Sequence, residues 1–148
     1  MYKHIYVPVD NSDYSNRAID LAVELGTALR ARLTGSHVYA ARLHDYRFKQ
    51  MEYTLPEEYK DENELERQRK IHDSLIAMGL QLVSDSYLEV MRKKTEAAAL
   101  PFEPRMMDGK HYKALIEDVQ AKDYDLVVIG ALGLGAVPDS QLGSVRQR

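Results

Sequence analysis

Cysteine is absent from the 148 residues, which excludes a disulfide framework, a thiolate metal site and a cysteine nucleophile. Long apolar runs are absent too. Nothing approaches the roughly 20 apolar residues that carry a helix across a bilayer, and the apolar patch before Asp10 is too short for a secretory signal core. Nor is there an excess of one charge: 20 Lys and Arg stand against 23 Asp and Glu, a net charge of −3. That balance leaves no basic footprint for nucleic acid or for an anionic membrane. The histidines, His4, His37, His44, His72 and His111, show no H-E-x-x-H spacing for zinc. No G-x-S-x-G elbow is present for a hydrolase, and no carboxylates sit at a spacing that marks a general acid/base pair.

What is present is ordinary globular material, with 45% hydrophobic and 29% charged residues. The length predicts one domain, residues 1–148, large enough to bury a core. The reading is of a soluble, cytoplasmic protein. His4–Val9 is a short β-branched run that stops at the turn cluster "DNSD", with Pro8 placed near the strand end because it cannot donate to a ladder. After it, Ala18, Leu21, Ala22, Leu25, Ala28 and Leu29 recur at helical steps, behind Ser12 or Ser15 as a cap. Leu33–Ala40 is the next strand.

From Ala41 to about Asp61 no period is visible, and the segment is read as a long loop. A helix is predicted from about Glu62 to Ala98, opening on the solvated face "ENELERQRK". It carries apolar steps at Ile71, Leu75, Met78 and Leu82, and again at Ile76, Leu80, Val83, Tyr87 and Met91. A helix of that length would reach about 55 Å, so it either bends near Gly79 or projects its first turns into solvent. Leu100–Met107 reads as an edge strand because of its two prolines. A short helix and the strand-like "YDLVVIGAL" follow. Strands alternating with helices imply a parallel sheet with helices on both faces.

Four glycines, Gly130, Gly133, Gly135 and Gly143, crowd the stretch after that last strand. In open parallel α/β sheets, ligands sit beyond the carboxyl ends of the strands, where strand order reverses. Glycine lets a ligand touch the backbone, and amides turned the same way form an anion-binding concavity. One reading is therefore a phosphate cradle. The other is a surface loop with a glycine cap. Neither G-x-x-x-x-G-K-[ST] nor G-x-G-x-x-G is present. Asp10 admits two roles as well, acceptor for a ligand or turn residue in "DNSD", and so does Ser144, as a helix N-cap or a phosphate contact.

Gly130-Ala-Leu-Gly133, nine residues and then Gly143-Ser144 resembles the G-x-x-G-x(9)-G-[ST] pattern of the ATP-binding universal stress protein family. "DLVVIG", "VPVDNSDYSNRAIDLAVELG" and "SHV" are similar to that family too, so the resemblance covers most of the chain. It implies an open, flavodoxin- and Rossmann-like α/β fold of the adenine nucleotide alpha hydrolase type, with five parallel strands ordered 3-2-1-4-5. It implies an adenine nucleotide across the ends of the first and fourth strands. Pro8, Val9 and Asp10 would line the adenine and ribose, with Val38 beside the base. Gly130, Gly133, Gly143, Ser144 and Val145 would hold ribose and phosphates. ATP is the implied ligand, with ADP or AMP as alternatives. Mg²⁺ or Mn²⁺ would ride on the phosphates without protein side chains.

The chain ends at "GSVRQR", where the family continues into another helix and strand. A sheet ordered 3-2-1-4, lacking its fifth strand, is therefore expected. An apolar fourth strand left at the edge invites pairing with another chain, so a homodimer or other oligomer is expected. The functional reading is a nucleotide-dependent stress-response module with slow or absent ATP hydrolysis, because neither an oriented base for water nor an arginine placed to neutralise transition-state charge is evident, Arg146 being the only candidate close to the motif. The alternatives are a dimerisation or scaffold module of a larger protein that binds no nucleotide, and a weak ATPase or nucleotidyl-transfer enzyme.

Overall fold

The computed structural model describes residues 2–39, 48–109 and 111–131. Four parallel strands form one sheet in the order β3-β2-β1-β4. These are β1 (His4–Pro8), β2 (Arg32–Tyr39), β3 (Phe102–Asp108) and β4 (Leu126–Val127). The open parallel architecture expected from the alternating pattern and the 3-2-1-4 order implied by the family resemblance are both present. The expected loss of a fifth strand concerns residues beyond those described.

Strand β1 is flanked on both sides, by β2 (His4↔Arg32 to Pro8↔Ser36) and by β4 (Ile5↔Leu126, Tyr6↔Val127). A central strand must be apolar on both faces, and Ile5, Tyr6 and Val7 are all fully buried. Pro8 closes the strand, and the next amide, Val9 N–H, still donates to Ser36 O at 2.8 Å. The proline is tolerated there because it stands at the last ladder position. Pro104 is tolerated on β3, which pairs with β2 alone among the described strands. Strand β4 is shorter than "YDLVVIGAL" suggested. Asp125 N–H and Val128 N–H nevertheless bond to β1 carbonyls on either side of it, both at 2.9 Å.

Helix α1 (Asp13–Leu29) starts where Ser12 accepts a hydrogen bond from Ser15 N–H, so Ser12 is the cap. It ends at Arg30, in the left-handed region at φ 54°. One face of the sheet buries Ile5, Val7, Val9 and Leu33 against Ala18, Ile19 and Ala22 of α1 and Leu88 and Met91 of the long helix. Each such side chain removed from water is worth about 1.5–3 kcal/mol. The last described helix, His111–Ala121, covers the other face, where Tyr6, Val38 and Leu115 cluster.

The long helix runs unbroken from Glu62 to Ala97, 36 residues, about 54 Å at 1.5 Å per residue. Its buried residues, Ser84, Leu88, Met91 and Thr95, all lie in the second half. Of the two outcomes its length allowed, projection is the one observed, with Gly79 inside the helix. The segment read as a loop contains a helical stretch at 48–52 and a 3-10 turn, Glu57–Tyr59. Side-chain contacts hold it to the helix: Phe48 stacks on His72 with ring centroids 4.0 Å apart, and Arg69 donates twice to Glu52, at 2.6 and 2.8 Å. No hydrophobic period announces such a stretch, because a ring stack and an ion pair leave none in the sequence.

Candidate functional site

The sheet order places the reversal point between β1 and β4. The chain leaves β1 toward β2 and β3 on one side and returns to β4 on the other. A crevice opens at such a point, beyond the carboxyl ends of the strands. Pro8, Val9 and Asp10 leave β1 here, and Gly130 lies just past β4.

The turn after β1 is organised by its own polar groups. Asp10 Oδ1 accepts from Ser12 N–H at 2.9 Å, and Ser15 Oγ accepts from Asp10 N–H at 3.1 Å. Ser12 Oγ accepts from Ser15 N–H at 3.1 Å, completing the cap of α1. Asn11 takes φ 61° to make the bend, a conformation Asn adopts more readily than most residues. The turn role of Asp10 is therefore real. It also fixes the carboxylate at the first turn of a helix whose N–H dipoles favour negative charge nearby.

Gly130 is where β4 meets α1. A Cβ on it would lie 2.9 Å from Ser15 N, 2.9 Å from the Tyr14 carbonyl carbon and 3.1 Å from Tyr14 Cβ. Two of those atoms are backbone and cannot step aside. The glycine is thus required by the packing of β4 onto the first turn of α1, a reason independent of any ligand. The same close approach brings the start of the glycine-rich stretch to the helix N-terminus.

Val9 and Val38 are each 4% exposed, on opposite faces of the sheet: Val9 in the cluster under α1, Val38 with Tyr6 and Leu115. The structure therefore brings together Pro8, Val9, Asp10 and Gly130, with Val38 near the end of neighbouring β2. Gly133, Gly143, Ser144 and Val145, expected to hold phosphates, lie outside the described residues, as does Arg146. Among the described residues no group of three or more His, Cys, Asp or Glu converges on a metal position, and no helix is long and apolar enough to cross a membrane. His37, in "SHV", is a packed strand residue. Its Nδ1 is 2.7 Å from Ser84 Oγ, and its ring meets Tyr87 edge-on at 4.9 Å.

A second polar constellation escaped sequence reading. Under the last described helix, Asp118 accepts from Tyr6 O–H at 2.8 Å and from Arg105 Nε at 2.9 Å, with a second guanidinium bond to its other oxygen. Tyr124 leans on both Tyr6 and His4, at 4.6 and 4.5 Å, and His4 Nε2 is bonded to Thr34 Oγ1 at 2.7 Å. Burial pushes the Tyr6 phenol well above its ordinary range, with Asp118 adding to the effect. Burial, and then the Arg32 charge, hold His4 below its ordinary value. Tyr6 and Asp118 are 112 residues apart, so no local spacing links them. Only the sheet does.

An open parallel α/β sheet with its polar turn and glycine at the β1/β4 reversal is the architecture of the universal stress proteins and their Rossmann-like relatives. The sequence profile of the universal stress protein family matches residues 1–148, and the chain belongs to that family. It is 25% identical to universal stress protein YxiE of Bacillus subtilis (strain 168), over 148 residues covering 100% of this chain and 91% of that protein. It is 29% identical, over 155 residues, to the Thermus aquaticus universal stress protein in the QAH/OAS sulfhydrylase 3′ region, covering 100% of this chain and 90% of that protein. Among solved structures, hypothetical protein MJ0577 superposes with a TM-score of 0.74 at 18% identity, covering 99% of this chain and 87% of that one. A universal stress protein in complex with cAMP gives 0.61 at 24% identity, covering 99% and 86%. An Arabidopsis thaliana family member with AMP bound gives 0.55 at 16%, covering 92% and 81%.

Proposed function

We propose that this chain is a nucleotide-binding regulatory module that takes an adenine nucleotide at the β1/β4 reversal, with ATP as the resident ligand and Mg²⁺ or Mn²⁺ carried on its phosphates. The observation that carries the reading is Gly130, whose missing side chain lets the start of the glycine-rich stretch lie against the first turn of α1. Phosphate is favoured at such a place by the helix dipole. The neighbours with AMP and cAMP bound support the choice of adenine.

In this reading the Asp10 carboxylate, oriented by Ser12 N–H, accepts from the ribose or the adenine amino group. The backbone of Pro8 and Val9 lines the base, with Val38 at its far side. Gly133, Gly143, Ser144 and Val145 complete the phosphate cradle. ATP supplies a charged ligand whose presence or loss is the signal, and turnover is slow. Homodimerisation and a cytoplasmic location belong to the same proposal.

The test is to denature freshly purified protein and identify any released nucleotide by chromatography and mass. Near-stoichiometric ATP supports the reading. Gly133→Leu should then abolish binding while leaving the circular dichroism spectrum unchanged. A protein that carries no nucleotide and ignores added Mg-ATP in calorimetry overturns it in favour of the scaffold module. Rapid metal-dependent release of ADP would instead mark an ATPase.

A further inference from the structure

The projecting half of the long helix carries a stripe that stands exposed among the described residues. Ile71, Leu75, Met78 and Leu82 are 49%, 63%, 60% and 68% exposed. Their spacing, four-three-four, keeps them on one face of the helix, as in the seam of a coiled coil. The other apolar series in the same helix reaches the core at Tyr87 and Met91. The segment at 48–52 leans on Arg69 and His72, off the stripe. An apolar seam of this kind on a soluble surface marks an interaction site.

Three features identify the occupant. First, a four-three-four spacing reads the same in both directions, so it is self-complementary about a two-fold axis between residues 76 and 77. An antiparallel copy would set Ile71 against Leu82 and Leu75 against Met78, the isologous geometry of a closed dimer. Second, the charges at the two ends are complementary in that orientation. Arg67, which holds Glu64 of its own helix and keeps 67% of its side chain exposed, comes alongside exposed Asp85 of the other copy, whereas parallel helices would set Asp85 against Asp85. Glu64 and Glu89, which approach one another, are each already paired with an arginine, Arg67 and Arg92. Third, Gly79 interrupts the seam's flank. Glycine weakens a helix interior, and a Cβ placed there would meet nothing within 4 Å. Its own fold gives no reason for it. A second helix passing close to the backbone does, because small residues permit that approach. The remaining flanking positions, Ser74, Gln81 and Ser86, are uncharged.

We propose that this stripe is a self-association surface, on which the long helices of two copies pack antiparallel. The surface lies on the projecting helix, apart from the β1/β4 reversal, and stands whether or not a nucleotide binds there.

Sedimentation equilibrium of the full chain, with and without substitutions, tests it. The wild type should be dimeric at micromolar concentration. Leu75→Glu, on an exposed position, should weaken association at least tenfold with an unchanged circular dichroism spectrum. Gly79→Gln should raise helix content and thermal midpoint yet weaken the dimer, a combination a purely structural role does not produce. Arg67→Glu and Asp85→Lys should each weaken it several-fold, and the double variant should recover. Since the chain has no cysteine, orientation can be read directly. Mixed Ile71→Cys and Leu82→Cys proteins should form the mixed disulfide under mild oxidation. A wild type that stays monomeric throughout the concentration range overturns the proposal and leaves the stripe to a different protein. A dimer indifferent to Leu75→Glu, or one in which Ile71→Cys crosslinks only to itself, overturns it as well.

Discussion

The two faces of the sheet are held by different physics, although they share the same strands. In β1, Ile5 and Val7 point into an apolar layer closed by α1 and the long helix. Tyr6, between them, points the other way and bonds to Asp118, which also holds Arg105. The first face gains by removing hydrocarbon from water and by close packing. The second loses hydration of a carboxylate and a guanidinium and recovers it through fixed hydrogen bonds. The first should tolerate changes of shape poorly. The second should punish the loss of one partner far more than the loss of all of them.

The largest effect is expected on the apolar face. Met91 is fully buried beside Gly35 and Phe102, and Met91→Ala should cost about 4 kcal/mol in urea unfolding, through lost transfer energy and a residual cavity. On the polar face, Asp118→Ala should cost about 3 kcal/mol. That is the lower end for a broken buried pair, because the Arg105 side chain keeps 28% of its exposure and can regain water. The sharper test of the contrast is the triple variant Tyr6→Phe, Arg105→Met, Asp118→Leu, which should unfold within about 1 kcal/mol of wild type, since an apolar set of similar volume replaces a buried pair at little loss. A triple variant as damaged as Asp118→Ala would show that the network contributes net stability.

Tyr6→Phe alone should cost about 1 kcal/mol, one hydrogen bond, because Arg105 still satisfies Asp118. The smallest effect is the response to pH. The unfolded chain releases the Tyr6 proton near pH 10, while the folded protein keeps it, because burial raises the phenol. Unfolding therefore releases a proton above about pH 10, and stability falls as pH rises. Half a unit above pH 10 the loss should stay below about 1 kcal/mol, and Tyr6→Phe should flatten this limb of the stability profile. At the other end His4, held below its ordinary value, takes up a proton on unfolding, so stability falls as pH drops below about 6.5. His4→Gln should reduce that slope.

The site offers a similar lesson in smaller compass. The turn after β1 was legible in "DNSD", because Asp, Asn and Ser bond their own backbone over short distances. Gly130 was legible as a member of the spaced glycine pattern, but the packing that requires a glycine there was not. Its requirement comes from Tyr14 and Ser15, which the chain brings back only after the sheet has formed.

Local chemistry, read from the sequence alone, determined the alternation of strands and helices, the edge position of a strand with two prolines, a serine cap at position 12 or 15 and the spaced glycines that carry the family resemblance. Each of these depends on residues within about a dozen positions of one another. Tertiary structure decided the rest. Two apolar series run along the same long helix, and nothing local tells which is buried; the sheet, covering only the helix's second half, took in Tyr87 and Met91 and left Ile71, Leu75, Met78 and Leu82 exposed. In the same way, Tyr6, Arg105 and Asp118 became one network only when three distant segments met on one face. Burial and pairing are properties of what stands opposite a residue, and a linear chain does not state that.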